Sequence, residues 1–544
     1  MRRDLRQQRA YKSAPTCAVD DLVHFLVSPT IEWYSQIATM YRQQPSVLRR
    51  ICQPSTWVSR TRDAPVGQEQ NSITAGSRRR YAFLTGPKVA TDNVATDKVA
   101  TDKVATDKVV PMLNIDSDHM IILSMVHSMF TFNSVLDVDK LKDSLERLLE
   151  RDGWNKLGGR MRRNDKGDLE FHIPTEYSSE RPAFNFSHVK HDMKLSEHPK
   201  GRHLLSSSKD PSDITVYPAD YDEFLKPAGC PKTIQPFLKK DLAQISLHVV
   251  SFSDATLLVI YFPHCSLDGL GLVEMLKGWT LTLQDREGEL ATPYPVDQDP
   301  LSGLDDSSEN HGHYSITDKK TTSRAWNWHL AKLIPRSCKD APPFLSDNDV
   351  LCAWWMRMAI SHIPEDSDKK ALMINVASLR QFIEQAEPSR AGYAYLSNIF
   401  DFVTLPMTTK SLKKAPLGQL AGQIRQSLVD SQSVEHLKTL ASWRKSWRYG
   451  LPAFPPGSYS QIVLNSNLSK GKMYDLDFSS AIVDRGDGDD AAGKPVDVQV
   501  RIFGNEYIDL NWITGKDANG NYLLNCITRK DNWPRIEKAL ESEQ

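Results

Sequence analysis

The sequence predicts an α/β protein built of two similar halves with mixed sheets, and three observations carry that prediction. An apolar run over 120–132 is followed by Asp137 and then by Val138, Leu141, Leu145, Leu148 and Leu149 at helical spacing, so a strand hands over to an amphipathic helix. A second apolar run, 255–263, is of strand length and leads through a glycine turn into another helical pattern over 272–283. Beyond a long polar stretch the alternation returns, with a helix over 350–361 and a strand over 371–378. Strands and helices interleave without regular βαβ spacing and without a GxGxxG turn, so no dinucleotide-binding fold is indicated.

The elements follow in order. Residues 1–110 carry 17 Lys or Arg against 10 Asp or Glu, a net of +7, whereas the remaining chain carries 50 against 58, a net of −8. The five-residue unit V-A-T-D-N at Val89 continues as V-A-T-D-K at Val94, Val99 and Val104, a period that keeps its Val on neither a helical nor a strand face, so it reads as a linker. Residues 1–110 are therefore expected to form a largely disordered N-terminal extension, with one helix-compatible stretch over 22–41.

A first domain is expected over 111–300. Within it Asp137 caps the helix, Asn164-Asp165-Lys166-Gly167 makes a hairpin turn before a strand at 169–173, and 244–252 pairs with 256–262 across Ser253-Asp254-Ala255. Pro293, Pro295, Pro300 and the acidic run at Asp305 mark a crossover loop over 301–340. The second domain is expected over 341–544. Ser346-Asp347-Asn348-Asp349 starts its first helix as a capping box; strands follow at 371–378, 399–405, 461–465, 496–503 and 507–513, and a last helix at 533–542.

Composition excludes several functions. The 544 residues are 40% hydrophobic and 25% charged with a net charge of −1, so no global excess of charge points to nucleic acid or an anionic membrane. No run approaches the roughly 18 apolar residues of a membrane span. Seven cysteines, odd in number and without a CxxC pair, indicate neither a disulfide framework nor a zinc site, and fit a reducing, cytoplasmic compartment. The Arg-rich start contains Asp4 and lacks an apolar core, so a targeting reading has little support.

The chemistry concentrates at the end of the run 255–263, where His264-Cys265-Ser266-Leu267-Asp268-Gly269 forms an HxxxDG motif between a strand and a helix. An imidazole held there, with an unperturbed pKa of about 6.5, suits a general base. The glycine is expected to permit a backbone conformation closed to other residues. Cys265, next to His264 in extended chain, points to the opposite face and is not expected to be a thiolate nucleophile. There is no HExxH and no GxSxG, and the near-P-loop Gly488 to Pro495 has Pro495 where Ser or Thr is required and acidic residues nearby.

With these residues the chain resembles the BAHD acyltransferases, in particular fungal members similar to trichothecene O-acetyltransferases. Besides the HxxxDG motif the resemblance rests on Asp143-Ser144-Leu145 with Leu157-Gly158-Gly159-Arg160, on Ser346-Asp347-Asn348-Asp349-Val350, and on the strand ending Leu379-Arg380, and it covers 111–544. The family's DFGWG-K-P signature survives only as Asp477-Phe478-Ser479-Ser480-Ala481, an acidic insertion over 484–493 expected to be a surface loop, and Gly493-Lys494-Pro495.

The resemblance implies two chloramphenicol-acetyltransferase-like domains with a channel between them, entered by an acyl-CoA cosubstrate from one side and an alcohol acceptor from the other. It implies a monomer with no bound cofactor or metal that transfers an acyl group, by preference acetyl, to a hydroxyl of a specialised metabolite. His264 is the implied base. Asp268 with Gly269 supports the loop and pairs with Arg380 of the other half; Ser466 or Asn467 is a candidate oxyanion donor; Asp477 and Phe478 belong to a loop beside the coenzyme channel. Two alternatives stand beside this reading. One is a condensation-type domain acting on carrier-protein thioesters, which usually has a second His where this chain has Pro263; the other is a non-catalytic ligand-binding relative.

Overall fold

The computed structural model describes residues 107–113, 115–201, 204, 222–302, 344–446, 459–484, 493–503, 509–517 and 520–543. The extension before residue 107 with its helix-compatible stretch and pentapeptide linker, the crossover over 303–343, and the insertion over 485–492 lie outside the described residues.

The strand Met125–Phe132 is buried along all eight residues. Such a strand must be hydrogen-bonded at both edges, since an unpaired buried N–H or C=O is costly. Along one edge Thr256–Pro263 runs antiparallel in continuous register, from Phe132 opposite Thr256 to Met125 opposite Pro263. The other edge is covered by Asp497–Phe503, antiparallel from Thr131 to Met125. The sheet continues beyond Thr256–Pro263 with Ser246–Ser251, antiparallel, and ends in Asn185–Lys190, which pairs parallel. Two helices pack on one face: Val138–Leu149, capped by Asp137, whose Oδ1 accepts the Lys140 N–H at 3.0 Å, and Gly269–Leu283. Trp279 locks them together, its indole donating to Leu141 O at 3.1 Å and Ser144 Oγ at 2.9 Å.

The second sheet has the order Phe400–Thr408, Lys370–Ser378, Gln461–Asn467, Asp509–Lys516, Tyr522–Ile527. Gln461–Asn467 is parallel to both its neighbours and the outer pairs are antiparallel, so the sheet is mixed. Period-two alternation divides its faces. Met373, Val463 and Ile513 point to the helices Asp347–Ala359 and Leu417–Asp430 and pack with Met356 and Ile424; Val376, Leu464 and Trp512 point the other way, into a cavity.

Three sequence expectations are corrected. The run 120–132 is not one strand: Met120 to Ile122 belong to the short helix His119–Ile122, started by Asp118 Oδ1 accepting the Met120 N–H at 2.8 Å, and the strand begins at Met125. Asp497–Phe503, assigned to the second half by its position in the chain, adds to the first sheet, because the fully buried Met125–Phe132 needs a partner on that edge. The strand Tyr522–Ile527 and the helices Thr409–Lys414, Leu417–Asp430 and Val434–Ser446 had no counterpart in the sequence reading.

Candidate active site

The strand Thr256–Pro263 delivers the chain to His264, whose N–H donates to Ser124 O at 2.9 Å. A tight turn follows, with Ser266 N donating to Pro263 O at 2.9 Å, and Asp268 then caps the helix Gly269–Leu283 by accepting the Gly271 N–H at 2.8 Å. The loop that carries His264 is thus pinned at both ends by ordinary capping and sheet bonds. Gly269 is not among the glycines with positive φ, which corrects the expectation of a special backbone conformation. Its lack of a side chain serves close packing instead: a Cβ there would lie 2.6 Å from Leu468 Cδ2.

Asp268 meets Arg380, the first residue of the helix Arg380–Ala386, in a two-pronged contact: Nη2 donates to Oδ1 at 2.7 Å and Nη1 to Oδ2 at 2.9 Å. Ile399 N donates to Oδ2 at 3.1 Å. Burial by itself would raise this carboxyl, but the Arg380 charge and the four N–H donors outweigh it and hold Asp268 below the ordinary carboxylate value. Asp268 borders the cavity, yet both oxygens are engaged, which suits a brace rather than a proton relay.

His264 is half-buried at the wall of a cavity of about 120 Å³ that lies between the two sheets. Val126 and Ile502 of the first sheet, Val376, Leu464 and Trp512 of the second, and the Phe400 ring, centred 6.4 Å from the imidazole, make the surroundings apolar. His264 Nδ1 is buried without an aligned partner among the described residues, which leaves Nε2 as the nitrogen able to face a ligand. Desolvation pulls the imidazole pKa below its ordinary value, against the opposing influence of its own backbone and of the Asp268 charge, so the ring is neutral near pH 7. A base acting through Nε2 then carries its proton on Nδ1.

Ser466 lies opposite Val376 and Trp512 in the second sheet and shares their face, so it reaches the cavity wall. Asn467 also lines the cavity, but its Nδ2 donates to Asn348 Oδ1 at 2.9 Å and its Oδ1 accepts the Ser469 N–H at 2.8 Å. Asp477 and Phe478 do not line it. Phe478 packs edge-on against Phe132 and Trp279, with ring centroids 5.3 and 5.1 Å away, inside the first half's core, and Asp477 O accepts from Gln284 Nε2 at 3.0 Å. Cys265 is fully buried with Sγ 3.9 Å from Met161 Sδ, and burial pushes its thiol well up, which disfavours the thiolate a nucleophile needs.

One contact escaped the sequence reading. Asn398 Nδ2 donates to the His264 carbonyl oxygen at 2.8 Å, reaching the loop that carries His264 from the segment before Phe400–Thr408. The only signal was a polar pair inside the apolar run Leu396-Ser397-Asn398-Ile399-Phe400, which by itself specifies no role. Among the described residues no three His, Cys, Asp or Glu side chains converge as a metal site.

No model of a known protein family matches the chain. It is 34% identical over 474 residues to the transcriptional regulator calD of Penicillium decumbens, covering 79% of this chain and 95% of that protein. It is 29% identical over 450 residues to the acetyltransferase adrJ of Penicillium roqueforti, covering 75% and 90%. Among solved structures, F. graminearum TRI101 complexed with ethyl coenzyme A superposes with a TM-score of 0.57 at 14% identity over 79% of this chain and 97% of that one, a likeness of fold.

Proposed function

From the premise that the chain belongs to the BAHD-type acyltransferase family, we propose that it transfers an acyl group, by preference acetyl, from a coenzyme A thioester to a hydroxyl of an apolar specialised metabolite. The observation that carries this reading is a neutral, braced imidazole on the wall of an apolar cavity between two sheets. The acceptor O–H passes its proton to His264 Nε2 as its oxygen bonds to the thioester carbonyl carbon. The tetrahedral intermediate collapses with cleavage of the C–S bond, and the imidazolium returns the proton to the departing thiolate, giving ester and free thiol. No covalent acyl-enzyme is required.

The oxyanion of that intermediate needs a donor. Ser466 is the better candidate, because the Asn467 amide already bridges Asn348 and Ser469. An acceptor with an apolar body matches the walls, since burying such a ligand removes apolar surface on both sides from water. A monomer acting in the cytoplasm belongs to the same proposal. No helix among the described residues is long and apolar enough to cross a membrane.

The name of calD favours a second reading, a non-catalytic regulatory protein on the same fold. The retained His264, its brace and its cavity favour catalysis. Incubation with acetyl-CoA and a panel of terpenoid and polyketide alcohols, read by thiol release and by the mass of the acylated product, separates the two. Acceptor-dependent thiol release that His264→Ala abolishes supports the transferase, whereas a chain that binds ligands without releasing thiol supports the regulator.

A further inference from the structure

We infer that Asn398, held in place by the buried pair Asp116 and Lys156, is a positioning residue for His264, acting separately from the Asp268–Arg380 brace; the inference rests on the acyl-transfer reading above. The His264 backbone is gripped on both of its polar groups, the N–H by Ser124 O and the carbonyl by Asn398 Nδ2 at 2.8 Å. The same Nδ2 donates to Asp116 Oδ1 at 2.8 Å, and so does the Asn398 backbone N–H, also at 2.8 Å. With a carboxylate and a carbonyl on that side, only the NH₂ end of the amide can face them, so the orientation of Asn398 is fixed by its acceptors.

Asp116 has no exposure, and its other oxygen has no hydrogen-bond partner among the described residues. Its compensating charge is the buried Lys156, whose Nζ lies 4.0 Å from Oδ2. Lys156 in turn donates to Leu396 O at 2.7 Å and to Ser397 Oγ. Two sequence-distant charged residues of the first half therefore converge on three consecutive residues, 396–398, and the next residue, Ile399, donates to Asp268. Arg380 reaches the same stretch from the other side, at Tyr395 O.

An isolated buried charge pair is a poor way to stabilise a core, since desolvation offsets most of its attraction. This pair holds one amide against the carbonyl of the base. A displacement of the imidazole by a fraction of an ångström would reduce turnover more than binding, because proton transfer depends on that distance.

Variants of the full chain test it. Asn398→Ala is expected to lower kcat at least tenfold with the KM for acetyl-CoA within twofold of wild type, and to speed hydrogen exchange of the amides of 264–268 at least tenfold while the second sheet is unchanged. Asp116→Asn alone leaves Lys156 unpaired and is expected to lose kcat similarly. Asp116→Asn with Lys156→Met keeps a neutral acceptor for Asn398 and is expected to recover at least half of the wild-type kcat. Should Asn398→Ala fail to fold, Asn398→Ser, too short to span both acceptors, replaces it. A folded Asn398 variant with wild-type kcat and unchanged exchange overturns the inference, as does a double variant no better than Asp116→Asn. If the wild-type chain releases no thiol, or His264→Ala is fully active, the acyl-transfer reading has failed, and the exchange measurement still decides whether Asn398 holds the loop.

Discussion

Arg380 grips Asp268 with two N–H donors at 2.7 and 2.9 Å across 112 residues of sequence, joining the loop that carries His264 to the start of a helix in the other half of the chain. Both side chains are largely buried, at 17% and 9% exposure, so removing one partner strands a charge. Arg380→Ala is expected to cost about 3–5 kcal/mol of folding stability, measured by urea unfolding. Asp268→Asn with Arg380→Met strands no charge and is expected to cost clearly less. Equal losses for the two would show that the ion pair is not what matters.

The pH dependence of turnover follows from the burial of His264. Desolvation disfavours the imidazolium more than the Asp268 charge favours it, so the ring stays neutral to lower pH than a free imidazole, whose pKa is about 6.5. The acid limb of kcat/KM should therefore have its midpoint below pH 6.5. Asp268→Asn removes the charge that favours the protonated ring and should move that midpoint lower still. Between the lowered folded value and about 6.5 the unfolded chain binds more protons, so acidification through that window also weakens the fold. A midpoint above 6.5, or an upward shift in the variant, would contradict this assignment.

The remnant of the second family signature is held by glycine geometry. Phe478 N donates to Gly493 O at 2.8 Å, and Gly493 has φ of +82° with a would-be Cβ only 2.5 Å from Ser479 Cα. Backbone cannot yield as a side chain can, so Gly493→Ala combines left-handed strain with a clash and is expected to cost at least about 1–3 kcal/mol. Because Phe478 packs on Phe132 and Trp279 rather than on the cavity, the loss should appear in thermal unfolding, with KM for acetyl-CoA little changed in the folded fraction.

Cys265 tests whether chemistry belongs to the imidazole or to its neighbour. Its thiol is fully buried beside Met161 and pushed well up, so the native protein should resist alkylation there. Cys265→Ala should retain activity within a few fold, assayed as thiol release. Inactivation by that substitution without loss of fold would favour a covalent mechanism.

The strands Thr256–Pro263 and Lys370–Ser378 and the helix Val138–Leu149 were legible because apolar period and capping residues sit in one short window. The position of Asp497–Phe503 was not, since its sequence reads equally well for either sheet and only the open edge of Met125–Phe132 selects one. The same holds for the short helix His119–Ile122, where an apolar run hid the cap supplied by Asp118. At the site, His264 was visible as a motif, whereas Asp116, Lys156 and Asn398 come from three distant segments, and their convergence is a property of the fold. Phe478, expected from the family signature in a structural loop beside the coenzyme channel, packs its ring on Phe132 and Trp279.

The most direct measurement is the rate of acetyl-CoA-dependent acylation of a hydroxylated acceptor by His264→Ala, in protein shown to be folded. A general base contributes about 10²–10⁴-fold, so kcat should fall at least a hundredfold while acetyl-CoA still binds. Turnover near the wild-type rate would contradict the account, because no other group on the cavity wall has been assigned the proton.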